Sequence, residues 1–224
     1  MLHEMVEAVL FDSGGVLMGP IGGRWNPRAD FEENLLKHHP GLDDEAIVEA
    51  IAVGDTWMSA QGSTPEYRDY YRQILGALDL DTGDVAIDAL LPEAPGSRFV
   101  EMFPDVPETL VALKRRGIRL AVVSDAWTGL QALHDLIGIP SQDFEMYAIS
   151  QEIGCVKPDE RMYRHASEAL GLAPQACLFV DDCGDLVAAA IRYGYHGVAL
   201  RRDGEPPPED VPWITTLPEI LHLV

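Results

Sequence analysis

Basic side chains are scarce in this chain. Its 224 residues include 16 Lys plus Arg against 37 Asp plus Glu, for a formal net charge of −21. Such a field repels polyanions, which argues against nucleic acid and anionic membrane surfaces as partners. Long apolar runs are also missing. No stretch approaches the roughly 18 residues that span a bilayer, and the opening MLHEMVEAVL is acidic and lacks the pattern of a signal peptide. A cytoplasmic protein without a membrane partner is expected. Cysteine is limited to Cys155, Cys177 and Cys183. That number is odd and small, so a disulfide framework is not expected, and the spacings match no zinc motif. Lysine is limited to Lys37, Lys114 and Lys157, which makes each one worth locating.

What is present is enough for a globular core. A hydrophobic fraction of 47% with 24% charged residues in 24.6 kDa excludes disordered and collagen-like chains. The apolar run at residues 6–11 stops at Asp12-Ser13-Gly14-Gly15 and reads as a buried strand ending in a turn. From residue 107 onward, helix and strand alternate. Helices are expected at 107–116, 128–137, 159–170, 186–193 and 218–223. Strands are expected at 118–123, 145–149, 176–180, 196–200 and 213–216, with a Pro-rich acidic loop at 205–210. This order predicts an α/β fold, a Rossmann-like three-layer core with a parallel sheet.

Residues 18–103 show helical patterns but no strand pattern, and read as a small helical insertion in a core made of 1–17 and 104–224. Helices are expected at 29–38, 43–60 and 84–91. Another follows Thr64-Pro65, an N-cap with Pro at N1, and carries Tyr67, Tyr70, Tyr71, Ile74, Leu75 and Leu78 on one packed face.

In open α/β sheets the chemistry lies at the carboxyl ends of the strands. Those ends present Asp12, Ser124 and Asp181-Asp182, with Lys157 in the loop GCVKPD. Each has a plain alternative: Asp12 shapes a turn, Ser124 or Asp125 caps a helix, Pro158-Asp159 starts one, and the acidic pair complements a helix dipole. Together they gather three carboxylates, a hydroxyl and a cation on one edge. Crowded carboxylates suit a hard divalent cation such as Mg2+.

These motifs resemble the haloacid dehalogenase (HAD) superfamily, in the branch with a helical cap inserted after the first motif. VLFDSGGV matches the first motif at Asp12, LAVVSDA the second at Ser124, the stretch around Lys157 the third, and LFVDDCGDL the fourth at Asp181-Asp182. The resemblance covers nearly the whole chain and implies a phosphatase acting on a small phosphate ester. Asp12 is then the nucleophile that forms an aspartyl-phosphate. Mg2+ is held by Asp12, the Gly14 carbonyl and Asp182. Ser124 and Lys157 bind the phosphoryl group, and Asp181 orients Lys157 or a metal-bound water. A monomer or homodimer is expected.

The sequence departs from that pattern at Gly14, where the family's phosphatases carry an Asp that protonates the leaving oxygen. Such a group is worth about 10²- to 10⁴-fold. A substrate with a good leaving group, such as a sugar 1-phosphate, fits the loss. The alternatives are another proton donor, a weakened protein that binds a phosphorylated ligand or a protein partner, and a phosphotransferase. Asp125 stands where Asn is common, as an acid or a cap for the next helix. A dehalogenase carries an aromatic residue at position 14 and needs no metal, so the acidic pair argues against dehalogenation. Arg24 and Arg28, beyond the Gly-rich link GPIGG, are candidate substrate contacts, with a solvated surface as the alternative.

Overall fold

A computed structural model describes residues 6–61, 67–91, 93–208 and 210–224. Chain contacts divide it into two compact units, with the breaks at Gly19/Pro20 and Phe99/Val100.

The first unit is built around β1 (Ala8–Phe11), whose four residues are fully buried. The chain leaves through the short strand β2 (Met18–Pro20). In the second unit follow α1 (Phe31–His38), α2 (Asp44–Ser59), α3 (Tyr67–Ala77) and α4 (Asp84–Leu90). The chain returns through β3 (Val100–Met102), which pairs with β2. The alternating half then runs α5 (Val106–Arg115), β4 (Arg119–Ser124), α6 (Leu130–Leu136), β5 (Met146–Ile149), α7 (Ser150–Ile153), α8 (Glu160–Ala169), β6 (Cys177–Asp181), α9 (Gly184–Arg192), β7 (His196–Leu200) and β8 (Trp213–Ile214).

Six strands form one sheet in the order β5-β4-β1-β6-β7-β8, with parallel pairing throughout. A parallel sheet is covered on both faces, so its strands read as continuous apolar runs rather than alternations. Val9 and Phe11 of β1 face Val106, Leu110 and Leu113 of α5 and Leu130 of α6. Ala8 and Leu10 face the opposite layer, Met162, Tyr163 and Ala166 of α8 and Val187 and Ala190 of α9. The result is the expected α/β three-layer core. β1 lies between β4 and β6, with Phe11 level with Val122 and Val180, so the three chains end side by side.

The helical unit has its own core, in which Phe31, Leu35, Ile47, Tyr70, Tyr71, Ile74 and Ile87 are buried. Gly54 of α2 lets α3 approach closely, since a Cβ there would lie 2.7 Å from Ile74 Cγ1. Among the described residues no helix is long and apolar enough to cross a membrane.

Several expectations change. The segment 18–103 contains strand at both ends, β2 and β3, each only three residues long. The terminal helix is a 3-10 turn, Leu217–His222, closed by a capping box between Thr216 and Glu219. Tyr70 and Tyr71 are buried, but Tyr67 is 58% exposed and does not pack the helices. The expected cap at Thr64-Pro65 lies outside the described residues.

Candidate functional site

The ends of the three central strands bring the acidic residues together. Asp12 follows β1, and its backbone N–H donates to the Val180 carbonyl at 2.8 Å, which locks the turn to β6. Asp181 is the last residue of β6 and Ser124 the last of β4. Lys157 reaches in from the loop before α8, and its Nζ donates to Asp12 Oδ1 and Asp181 Oδ2, both at 2.7 Å. All three side chains are nearly closed to solvent. Burial opposes the lysine's charge, but the two carboxylates outweigh it and hold the ammonium well above its usual range.

Both oxygens of Asp181 are engaged, since its Oδ1 also accepts the Cys183 N–H at 2.9 Å. Asp182 projects beside it, and ligand oxygens of Asp12, Asp181 and Asp182 lie within 4.8 Å of one another. Burial, then the Asp12 charge, pushes both Asp181 and Asp182 above the ordinary carboxylate range. Burial is the larger cause for both groups, and the neighbouring carboxylate adds to it.

The backbone beneath Asp182 is shaped for close approach. Gly15 has φ +78°, and a Cβ there would lie 2.2 Å from Asp182 Oδ2, so any other residue would displace the carboxylate. Its neighbour Gly14 makes no backbone hydrogen bond among the described residues, although Asp12, Ser13 and Gly15 all do. Its carbonyl is therefore a spare oxygen donor beside Asp12. The Ser124 hydroxyl is likewise unpartnered among the described residues, though Ser124 is 4% exposed. A buried hydroxyl with no protein partner is costly unless something else satisfies it.

Asp125 corrects an expectation. Gly129, not Asp125, precedes α6, and no side chain caps that helix. Instead Asp125 Oδ1 accepts the backbone N–H of Lys157 at 2.9 Å, tying the lysine loop to the end of β4.

Arg24 and Arg28 are both engaged within the helical unit. Arg24 pairs with Glu32. Arg28 pairs with Asp30 at 2.8 Å, lies 4.3 Å from the Phe99 ring centroid, and donates its backbone N–H to the Tyr71 hydroxyl.

Two networks were not legible in the sequence. Arg202, after β7, donates to the carbonyls of Gly15 at 3.2 Å and Val16 at 2.9 Å. It also forks onto Asp105 at 2.9 and 3.0 Å and stacks 3.9 Å from the Phe103 ring centroid. Asp105 in turn accepts the Leu217 N–H at 3.0 Å. The second network is a buried chain in which Ser13 Oγ meets His134 Nε2 at 2.7 Å and His134 Nδ1 meets the Tyr147 hydroxyl at 3.0 Å. Both join residues far apart in the chain, and neither leaves a spacing that a sequence pattern could reveal.

Comparison with known proteins points the same way. The family model for haloacid dehalogenase-like hydrolases matches residues 6–194. The chain is 33% identical over 215 residues to "Phosphatase MT3486" of Mycobacterium tuberculosis (strain CDC 1551 / Oshkosh), covering 89% of each. It is 32% identical over 211 residues to "Enolase-phosphatase E1" of Nocardia farcinica (strain IFM 10152), covering 86% of this chain and 85% of that one. In fold it is similar to the L-2-haloacid dehalogenase from Xanthobacter autotrophicus, with a TM-score of 0.63, 20% identity and 98% of both chains covered. The chain is thus a hydrolase and belongs to the haloacid dehalogenase-like family.

Proposed function

We propose that the chain is a Mg2+-dependent phosphatase of a small phosphorylated metabolite, with the helical unit serving as a cap. The observation that carries this reading is the gathering of Asp12 and Asp182, with Lys157 on Asp12, and the packing of Asp182 on the Gly15 backbone, which has room for no side chain. The phosphatases among its relatives support it.

The residues fit a hard divalent cation. Asp12, the spare Gly14 carbonyl and Asp182 are all oxygen donors, and the raised carboxyl groups gain most from a positive charge. Asp181, with Lys157 on one oxygen and the Cys183 N–H on the other, would orient the lysine rather than ligate. When bound, Mg2+ supplies charge neutralisation for the phosphoryl oxygens.

The chain's own residues do the rest. Lys157 holds Asp12 through Oδ1, which leaves Oδ2 to attack phosphorus. A bond forms between that oxygen and phosphorus while the bond to the leaving oxygen breaks, giving an aspartyl-phosphate. Ser124 donates its unpartnered hydroxyl to a phosphoryl oxygen, and Lys157 offsets the charge that builds there. Water then attacks phosphorus, the bond from phosphorus to the Asp12 oxygen breaks, and phosphate leaves; the proton that water gives up goes to solvent, which supplies the one taken by the leaving oxygen. With glycine at position 14, the leaving oxygen receives no proton from that residue, which favours esters of acidic alcohols such as sugar 1-phosphates.

The same glycine favours a second reading, a weakened member that binds a phosphorylated ligand or a protein partner without efficient turnover. Hydrolysis of an activated aryl phosphate separates the two. We expect turnover that requires Mg2+ and falls at least about 10³-fold in Asp12→Asn. Intact Mg2+ binding without turnover would favour the second reading. Halide release from a 2-haloacid, with no phosphatase activity, would overturn both.

A further inference from the structure

The buried chain Ser13–His134–Tyr147 has no part in the chemistry above. We infer that it is a positioning relay that fixes the Asp12-Ser13-Gly14 turn, so that the attacking carboxylate and the Gly14 carbonyl keep one mutual orientation. The inference rests on the reading of Asp12 as nucleophile and Gly14 as a metal-side carbonyl.

The turn is anchored on each side of a gap. The Asp12 N–H is held by Val180, the Ser13 carbonyl accepts the Leu17 and Met18 N–H groups at 2.9 and 3.0 Å, and the Gly15 N–H donates to Met18 at 2.8 Å. Gly14 lies between these anchors with no backbone bond of its own. The backbone holds the peptides on either side of Gly14, Arg202 holds the Gly15 and Val16 carbonyls beyond them, and the Ser13 side chain adds a tie from the turn into the core. It is held by a residue 121 positions away on α6, which is braced in turn by Tyr147 on β5.

The imidazole sits among apolar rings, with Phe144 and Tyr147 centroids at 6.2 and 5.6 Å. An apolar residue would fill such a place without needing partners. Burial depresses His134 to about 4, against the weaker opposing charges of Asp135 and Asp12, so the ring is neutral and carries one proton. Ser13 is closed to solvent while Tyr147 retains 8% exposure. The one hydroxyl proton without an acceptor is therefore best placed on Tyr147. This gives Nδ1–H donating to Tyr147, and the Ser13 hydroxyl donating to Nε2.

The test has one arm without turnover and one with it. In the metal-free wild-type protein, 15N NMR of His134 should show a single neutral tautomer, protonated at Nδ1, from about pH 5 to 8. Averaging between tautomers, or titration near the ordinary value of about 6.5, would overturn the relay whether or not the protein is a phosphatase. In the activity arm, Ser13→Ala and His134→Leu should each lower kcat about 10- to 100-fold with KM shifted less than about threefold. His134→Gln, whose amide oxygen still accepts from Ser13, should recover most of the loss. The double variant should be no worse than either single one. Lower thermal stability with unchanged kcat, or no rescue by Gln, would reduce the chain to ordinary core structure. If His134→Leu does not fold, Ser13→Ala and the NMR arm still decide between relay and ordinary core. A wild-type protein that fails to turn over an aryl phosphate sinks the phosphatase reading and leaves the NMR result standing.

Discussion

At position 14 a hydrogen atom stands where, in the proposed reaction, a carboxyl group would protonate the leaving oxygen, and the backbone conformation does not forbid that group. Gly14 lacks the positive φ that Gly15 adopts, so its backbone conformation is one that other residues take. Gly14→Asp is therefore expected to raise the rate on alkyl phosphates about 10- to 100-fold, while changing aryl phosphates less than about threefold. Parallel rate measurements on the two classes check this, and equal effects would count against leaving-group acidity as the reason for the glycine. His134 makes a separate prediction about stability. Its folded-state value of about 4 lies below the unfolded value of about 6.5, so between those values the unfolded chain binds the extra proton. The histidine's contribution is complete above about pH 6.5 and is lost as pH falls toward 4, to the extent of about 3 kcal/mol. Urea titrations across that range should show the loss in the wild-type protein and a flatter profile in His134→Gln.

Arg202 works at the level of elements, since one guanidinium joins the loop after β1, the start of α5 through Asp105, and the final 3-10 turn through Leu217. Burial opposes the Asp105 charge, but Arg202 and the Leu217 N–H hold it below the usual carboxylate range. Removing the cation leaves that carboxylate half-buried without its partner. Arg202→Met should thus cost about 2 to 4 kcal/mol in urea unfolding, whereas Arg202→Met with Asp105→Asn should cost less than the two single losses added. A clamp of this kind also marks the limit of what the sequence discloses. The sheet was legible because buried parallel strands such as VLF, LAVV and LFV are apolar without a break, and because turns and charged residues close them. β2 and β3 were not, because three residues containing a Gly-Pro or a lone Glu carry no periodicity. Asp12, Ser124, Lys157, Asp181 and Asp182 were legible as chemistry at strand ends, and the structure brings Lys157 onto Asp12 and Asp181. The partners of Asp125, Ser13 and Arg202 were not, because they are set by packing between segments 32 to 187 residues apart.

At the scale of the whole molecule the charge of −21 sets the terms on which the proposed anionic substrate would arrive. Three carboxylates at the proposed centre would be balanced in formal charge by Lys157 and one divalent cation, so the site itself offers little long-range attraction. The attraction it does offer acts over a few ångströms, after encounter. Before encounter the substrate meets the summed field of the chain, which is repulsive and extends about one Debye length, roughly 20 Å at 20 mM salt and 8 Å at 150 mM. Adding a monovalent salt at fixed, saturating Mg2+ should therefore raise kcat/KM for a phosphate ester by about two- to fivefold over that range, with kcat unchanged. Substrates bearing an additional negative charge should respond more steeply. Steady-state kinetics against ionic strength check the sign directly. A fall in kcat/KM with salt would mean that a local positive field at the strand ends outweighs the charge of the rest of the chain, and that the three aspartates are not balanced by one lysine and one divalent cation.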